Sequence, residues 1–146
     1  MPIDLFSKTP LADVLPKEMQ KVVEELKKSS SQEECLRRAY GILISKYQGK
    51  RLKTFTKFFN VFENDAQALW DKEGFMHCTN INYLMRILLV KSRFFCENDI
   101  CLKWTQIWFV SPHQYLKIKA GEKWIDIDVW AHDFGIEFGD KSHGFH

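Results

Sequence analysis

Apolar positions recur at helical spacing through the first half of the chain and close to alternation through much of the second. Met19, Val22, Val23 and Leu26 form one stripe after Pro16. A proline is harmless at a helix start, where its missing amide hydrogen would have had no partner. A second helix is predicted from about Gln32 to Tyr47, with Cys35, Leu36, Ala39, Tyr40, Ile42, Leu43 and Tyr47 on its apolar side. Ser31 and Glu34 form a capping-box pattern at its start. A third is predicted within Thr54 to Trp70, with Phe55, Phe58, Phe59 and Phe62 turned inward. Thr79 to Lys91 carries Ile81, Leu84, Met85, Leu88 and Leu89 at helical spacing, and Ile87 and Val90 make it apolar nearly all round. Such a helix belongs in the middle of a fold, which puts Cys78 at the start of a buried central helix.

The period changes after Arg93. Ile107 to Val110, extended by Thr105 and Gln106, Tyr115 to Lys119, and Trp124 to Trp130 are predicted as strands, with Ser111-Pro112 as an interruption before His113. Ala120-Gly121-Glu122-Lys123 is a hairpin connection between the last two. Helices followed by antiparallel strands predict an α+β fold, a helical N-terminal half packed on a C-terminal sheet. No linker, repeat or low-complexity tract divides the chain, so residues 1–146 are expected to form one domain. Residues 1–15 form an irregular arm with Pro2 and Pro10, whose apolar Ile3, Leu5, Phe6, Leu11, Val14 and Leu15 predict docking near Cys78, where it restricts substrate entry. The final residues, rich in Gly and His, form another irregular arm.

Composition narrows the function classes. Hydrophobic residues at 45% and aromatics at 14% are ample for a core and exclude a disordered chain. Basic and acidic residues stand at 21 against 19, a net charge of +2 that supplies no general attraction to nucleic acid or anionic lipid. A local basic cluster at Lys46, Lys50, Arg51 and Lys53 reads as a solvated helix end and loop. The longest apolar runs are too short to span a bilayer, and no secretion signal is visible. Four cysteines without a CxxC fit reduced thiols and a cytoplasmic setting.

Hairpin geometry brings two polar residues together. If Lys119 pairs with Glu122, His113 stands opposite Asp128; if Lys119 pairs with Trp124, Asp128 faces Tyr115 and lies diagonal to His113. Both registers leave His113 and Asp128 on one face, away from Leu116, Ile118, Ile125, Ile127 and Val129. A structural hairpin produces the same alternation without catalysis. Cys78 adds a nucleophile: amides at a helix start and a neighbouring imidazolium stabilise a thiolate, and a carboxylate on the second ring nitrogen orients the imidazole. The plain alternative is a small core cysteine opening a buried helix.

With these residues in order, the chain resembles the transglutaminase-like cysteine-enzyme superfamily, over residues 31–130. Gly74-Phe75-Met76-His77-Cys78 resembles the loop that leads into the family's nucleophile. His113-Gln114-Tyr115-Leu116-Lys117-Ile118 resembles its histidine strand, and Gly121, Trp124 and Asp128 follow across the hairpin as in the family. The glycine stands farther from the cysteine than the family's Gly-x-Cys, Gln114-Tyr115 replaces Ala-Trp, Asp128-Val129 replaces Asp-Pro, and Arg93 stands where a glycine often follows the helix. The resemblance implies a papain-like core and a Cys78, His113, Asp128 triad performing acyl transfer. The acyl donor is then a peptide, a protein or a small amide or thioester, and the acceptor is water or an amine, with hydrolysis favoured. It implies no cofactor. The Cys78 amide is a candidate oxyanion donor, with Gln67, Trp70 and His77 as candidates for a second.

Two other classes compete. A noncatalytic interaction domain on the same scaffold would use Trp104, Trp108, Tyr115 and Trp130 to line a peptide groove. A metal-dependent hydrolase is opposed by five histidines at 77, 113, 132, 143 and 146 that form no compact ligand motif. Asp126 and His132 lie close to the triad in sequence and read as a solvent-exposed side chain and a loop contact.

Overall fold

The computed structural model describes residues 8–48, 65–108 and 110–144. Helix α1 (Lys17–Leu26) starts from Pro16, whose carbonyl accepts the Gln20 amide at 2.8 Å, and buries Met19, Val23 and Leu26. Helix α2 (Gln32–Lys46) buries Cys35, Leu36, Ala39, Tyr40 and Leu43. The Ser31 hydroxyl accepts the Glu34 amide at 3.1 Å, while the Glu34 carboxylate takes the Ser30 amide rather than that of Ser31. The capping box is thus half formed and shifted by one residue. Ser31→Ala is expected to cost about 1 kcal/mol, read as a lowered urea midpoint at unchanged slope.

A short strand β1 (Tyr47–Gln48) pairs in parallel with β2 (Gly74–Phe75). Between them helix α3 (Ala66–Asp71) is capped by the Asp65 carboxylate, which accepts the Gln67 amide at 3.1 Å. The predicted helical Phe55, Phe58, Phe59 and Phe62, and Lys50, Arg51 and Lys53, lie outside the described residues.

Helix α4 (Cys78–Lys91) is the centre of the fold. Every residue from Thr79 to Leu89 is buried, and α1, α2, α3 and the sheet all pack on it. Arg93 follows it with φ of 70°, so the left-handed position that usually takes glycine after a helix is present here with an arginine. No helix among the described residues is long and apolar enough to cross a membrane.

The sheet has the order β3 (Ile100–Ile107), β4 (Ser111–Ala120), β5 (Lys123–Ile127), all antiparallel. An N-terminal helical region packed against a small antiparallel sheet makes this an α+β fold. Lys119 pairs with Trp124, the second of the two registers allowed by the sequence, around a Gly121-Glu122 turn in which Gly121 takes φ of 63°. Gln114, Leu116, Ile118 and Ala120 are buried at alternate positions of β4, and Gln114 is tied to Asn82 of α4 through a 2.9 Å bond to its carbonyl.

Three strand boundaries differ from expectation. Of the apolar run at 107–110, Ile107 ends β3 and is buried, whereas Trp108, at φ 53°, and Val110 are exposed and lie between β3 and β4. Hydrophobicity alone had marked the turn. Pro112 is the second residue of β4, where a missing ladder donor is tolerated. The last strand ends at Ile127 rather than Trp130. Val129 turns helical and Trp130–Phe134 forms a 3-10 helix, because Asp128 accepts the Ala131 amide at 3.2 Å and caps the new turn.

Of the N-terminal arm, residues 8–15 hold no regular structure, and Thr9 and Pro10 bond to α4 past Cys78. The Tyr83 hydroxyl donates to the Pro10 carbonyl at 3.2 Å, and buried Arg86 donates to the Thr9 carbonyl at 2.8 Å and to Glu97 at 3.2 Å. Arg86 lies eight residues past Cys78, roughly 12 Å along the axis. The described part of the arm therefore bonds away from the nucleophile position, and residues 1–7 lie outside the described residues.

Candidate functional site

Cys78 is the first residue of α4, with His77 as its N-cap. A first-turn amide has no acceptor within its own helix, so the Cys78 N–H and the helix dipole both face the chain entering the helix. The thiol is half-buried, whereas His77, Thr79 and Asn80 around it are buried.

His113 reaches the same place from β4. Alternation sets it on the side opposite Gln114 and Leu116, and the Trp130 ring covers it at 4.9 Å between centroids. Its Nε2 lies 2.7 Å from Asp128 Oδ2. Cys78 acts on the imidazole in the direction that favours its charged form. An imidazole has two nitrogens, and Asp128 engages only Nε2. His113 and Asp128 are each 1% exposed.

Burial by itself pushes the His113 imidazole towards neutrality. The charge of Cys78, the hydrogen bond to Asp128 and the remaining contacts with both overrule it, and its pKa is raised to about 10. Burial likewise opposes the Asp128 carboxylate, yet the His113 bond and charge and two bonds from Ser142 hold its pKa below the usual carboxylate value. The imidazolium–carboxylate pair is therefore the favoured state at neutral pH.

Asp128 is held from both sides. Oδ1 accepts the Ala131 amide at 3.2 Å, and Oδ2 accepts the Ser142 amide at 2.9 Å and the Ser142 hydroxyl at 2.8 Å. Ser142 lies in the C-terminal segment, where the sequence carries no motif that points to it. That segment crosses the sheet: Gly139 bridges to Asp126, Lys141 Nζ lies 3.0 Å from the Tyr115 hydroxyl, and Gly144 bridges to Ile107.

The other candidates are placed as follows. Gln67 is exposed and bonded to Asp71, and Trp70 is buried with the Lys46 ammonium 5.1 Å from its ring. His77 is buried with its ring 5.0 Å from that of Phe75. Asp126 is half-buried between Lys117 and Lys141, each at 3.4 Å, and His132 Nδ1 is 3.3 Å from the Tyr40 hydroxyl. Tyr115 and Trp130 are buried, whereas Trp104 and Trp108 are exposed. Among the described residues no three His, Cys, Asp or Glu side chains cluster as a metal-holding group.

Chemically, the arrangement offers a thiol at a helix start, an imidazole whose charged form that thiol favours, and a buried carboxylate bonded to that imidazole. No protein-family model, curated protein or solved structure matches the chain.

Proposed function

We propose that the chain is a cysteine-dependent acyl-transfer enzyme of transglutaminase-like type, hydrolysing a peptide or related amide through Cys78, His113 and Asp128. The observation that supports this reading is one buried imidazole bonded to a buried carboxylate and held towards its charged form by a helix-start thiol. The Cys78 sulfur attacks the amide carbonyl carbon, and the oxyanion forms beside the Cys78 N–H. His113 gives its proton to the amine as the C–N bond breaks, leaving a thioester. Water then attacks that thioester, His113 takes the water proton, and the C–S bond breaks to return the thiolate and release the acid. Asp128 holds the ring throughout. Water is the favoured acceptor because it needs no second binding site.

Selective alkylation tests the reading. Cys96 is exposed, Cys101 is as partly exposed as Cys78, and Cys35 is buried. Iodoacetamide at pH 7, followed by peptide mass spectrometry, is expected to label Cys78 at least ~10-fold faster than Cys96. Accessibility alone predicts the opposite order. Cys78→Ser is expected to keep the fold, lose the burst of nitrophenol from 4-nitrophenyl acetate, and lose the acetyl adduct. Labelling of Cys78 no faster than Cys96 would turn the reading to a noncatalytic interaction domain, for which exposed Trp104 and Trp108 supply a contact surface.

A further inference from the structure

Three hydrogen-bond donors converge on one oxygen of Asp128, and two of them belong to Ser142. Its N–H at 2.9 Å and its hydroxyl at 2.8 Å join His113 Nε2 at 2.7 Å on Oδ2. Ser142 is fully buried. The segment that delivers it is docked on both sides of that position: through Gly139 on Asp126, through Lys141 on Tyr115 and Asp126, and through Gly144 on Ile107. Residues 139–144 thus form a strap that closes over the carboxylate.

We propose that Ser142 is a positioning residue of the Cys78, His113, Asp128 site, carried by this strap to hold Asp128 as a carboxylate aligned on His113. The inference rests on the catalytic reading above and adds the step at which the alignment matters. While His113 is charged, Asp128 has a counter-ion. When His113 gives its proton to the leaving amine, Asp128 becomes a buried charge facing a neutral ring, a costly state unless other donors hold it. The two Ser142 donors and the Ala131 amide are then what remains. A donor counts most where the charge it serves is uncompensated. Ser142 therefore favours proton release by His113, and removing its hydroxyl leaves His113 holding its proton more tightly.

The surrounding charges act on the same pair. Cys78 faces it from α4, and Tyr40 of α2, which feels the Asp128 charge, is linked to His132 in the 3-10 turn. Tyr115 of β4, Asp126 of β5 and Lys141 of the strap form a cluster beside it. Ser142→Ala removes no group from this set, so a change in His113 titration reports the lost hydroxyl.

Ring-labelled histidine NMR on Ser142→Ala is expected to move the His113 midpoint upward by about half a pH unit. In an Asp128→Asn background the same substitution is expected to move it little, because the charge that the hydroxyl serves is gone. No shift, a downward shift, or an equal shift in the Asp128→Asn background would overturn the proposal. Should Ser142→Ala fail to fold, the wild-type Ser142 amide proton carries the test: it must follow the His113 midpoint, and an amide blind to that titration also overturns it. Failure of the catalytic reading looks different. Cys78 then alkylates no faster than Cys96, while the dependence of His113 on Ser142 persists.

Discussion

Replacing His113 with alanine is expected to lower turnover by roughly 10³-fold and to slow Cys78 alkylation at pH 7 by about tenfold or more. The two losses have different origins. Alkylation needs only the thiolate, so its loss measures the imidazolium that stood against the sulfur. Turnover also needs a proton delivered to the leaving amine and later taken from water, which the methyl of alanine cannot do. The pH profile separates them. In the wild type, His113 is charged well into the alkaline range, its pKa being raised to about 10 despite burial. That charge is present at pH 7, where alkylation of Cys78 is compared between the two proteins. In the alanine variant alkylation should rise with pH like that of an ordinary accessible thiol. Superimposable profiles for the two proteins would remove His113 from the proposed role.

Asp128→Ala is expected to cost roughly 3–5 kcal/mol of stability, about 10–15 °C in midpoint for a chain of this size. The substitution does more than lose one bond. It leaves the His113 imidazolium without its buried counter-ion, strips the cap from the turn at Ala131, and leaves both Ser142 donors facing a void. Asp128→Asn keeps the shape and should fold better, yet lower the chemical rate more than roughly tenfold because the ring is no longer held by a charge. Asp126→Asn, at a half-buried position between two lysines, should do less.

The same pair sets a pH dependence with a definite sign. His113 is raised in the folded chain, so its contribution is complete below its ordinary 6.5 and is lost as pH climbs towards about 10. Asp128 is lowered, so its contribution is complete above its ordinary 3.8 and is lost on acidification. Urea unfolding at about pH 6, 8 and 10 should show stability falling towards the alkaline end in wild type. Asp128→Ala should flatten that slope. An equally steep alkaline loss in the variant would place the coupling elsewhere.

The site was legible to different depths. Cys78 could be placed because a helix apolar on nearly every side announces its own centrality, and its first residue is then fixed by the Gly74 to His77 lead-in. His113 and Asp128 could be paired because a hairpin with a short loop allows few registers, and both allowed ones kept the two side chains on one face. The strand ends were less legible for a physical reason. Ile107 to Val110 is apolar, and apolarity was taken for burial, yet Trp108 and Val110 sit in an exposed turn. Trp124 to Trp130 continues the alternation through Val129, but a carboxylate at Asp128 competes with the ladder for the Ala131 amide and wins. That competition depends on where the side chain points, which a one-dimensional pattern does not carry.

The N-terminal arm shows a similar limit. Leu11 and Leu15 pack against the core whereas Val14 is exposed, and the bonded position of the described part is set by Arg86, a buried cation on α4 that takes the Thr9 carbonyl and the Glu97 carboxylate. An arginine in the middle of a greasy helix needs partners wherever it is buried, and the arm supplies one. The docking point follows from that need rather than from the apolar residues.

Local chemistry and period thus determined the first, second and central helices, the hairpin register to within two choices, and the pairing of His113 with Asp128. Such features depend on neighbours a few positions apart, where spacing along the chain is also spacing in space. The burial of His113 and Asp128, the capture of Asp128 by Ser142 and the strap from Gly139 to Gly144 were decided only by the tertiary structure. They join residues through contacts between segments whose approach no local pattern encodes, and the low dielectric that raises His113 exists only once those segments have closed over it.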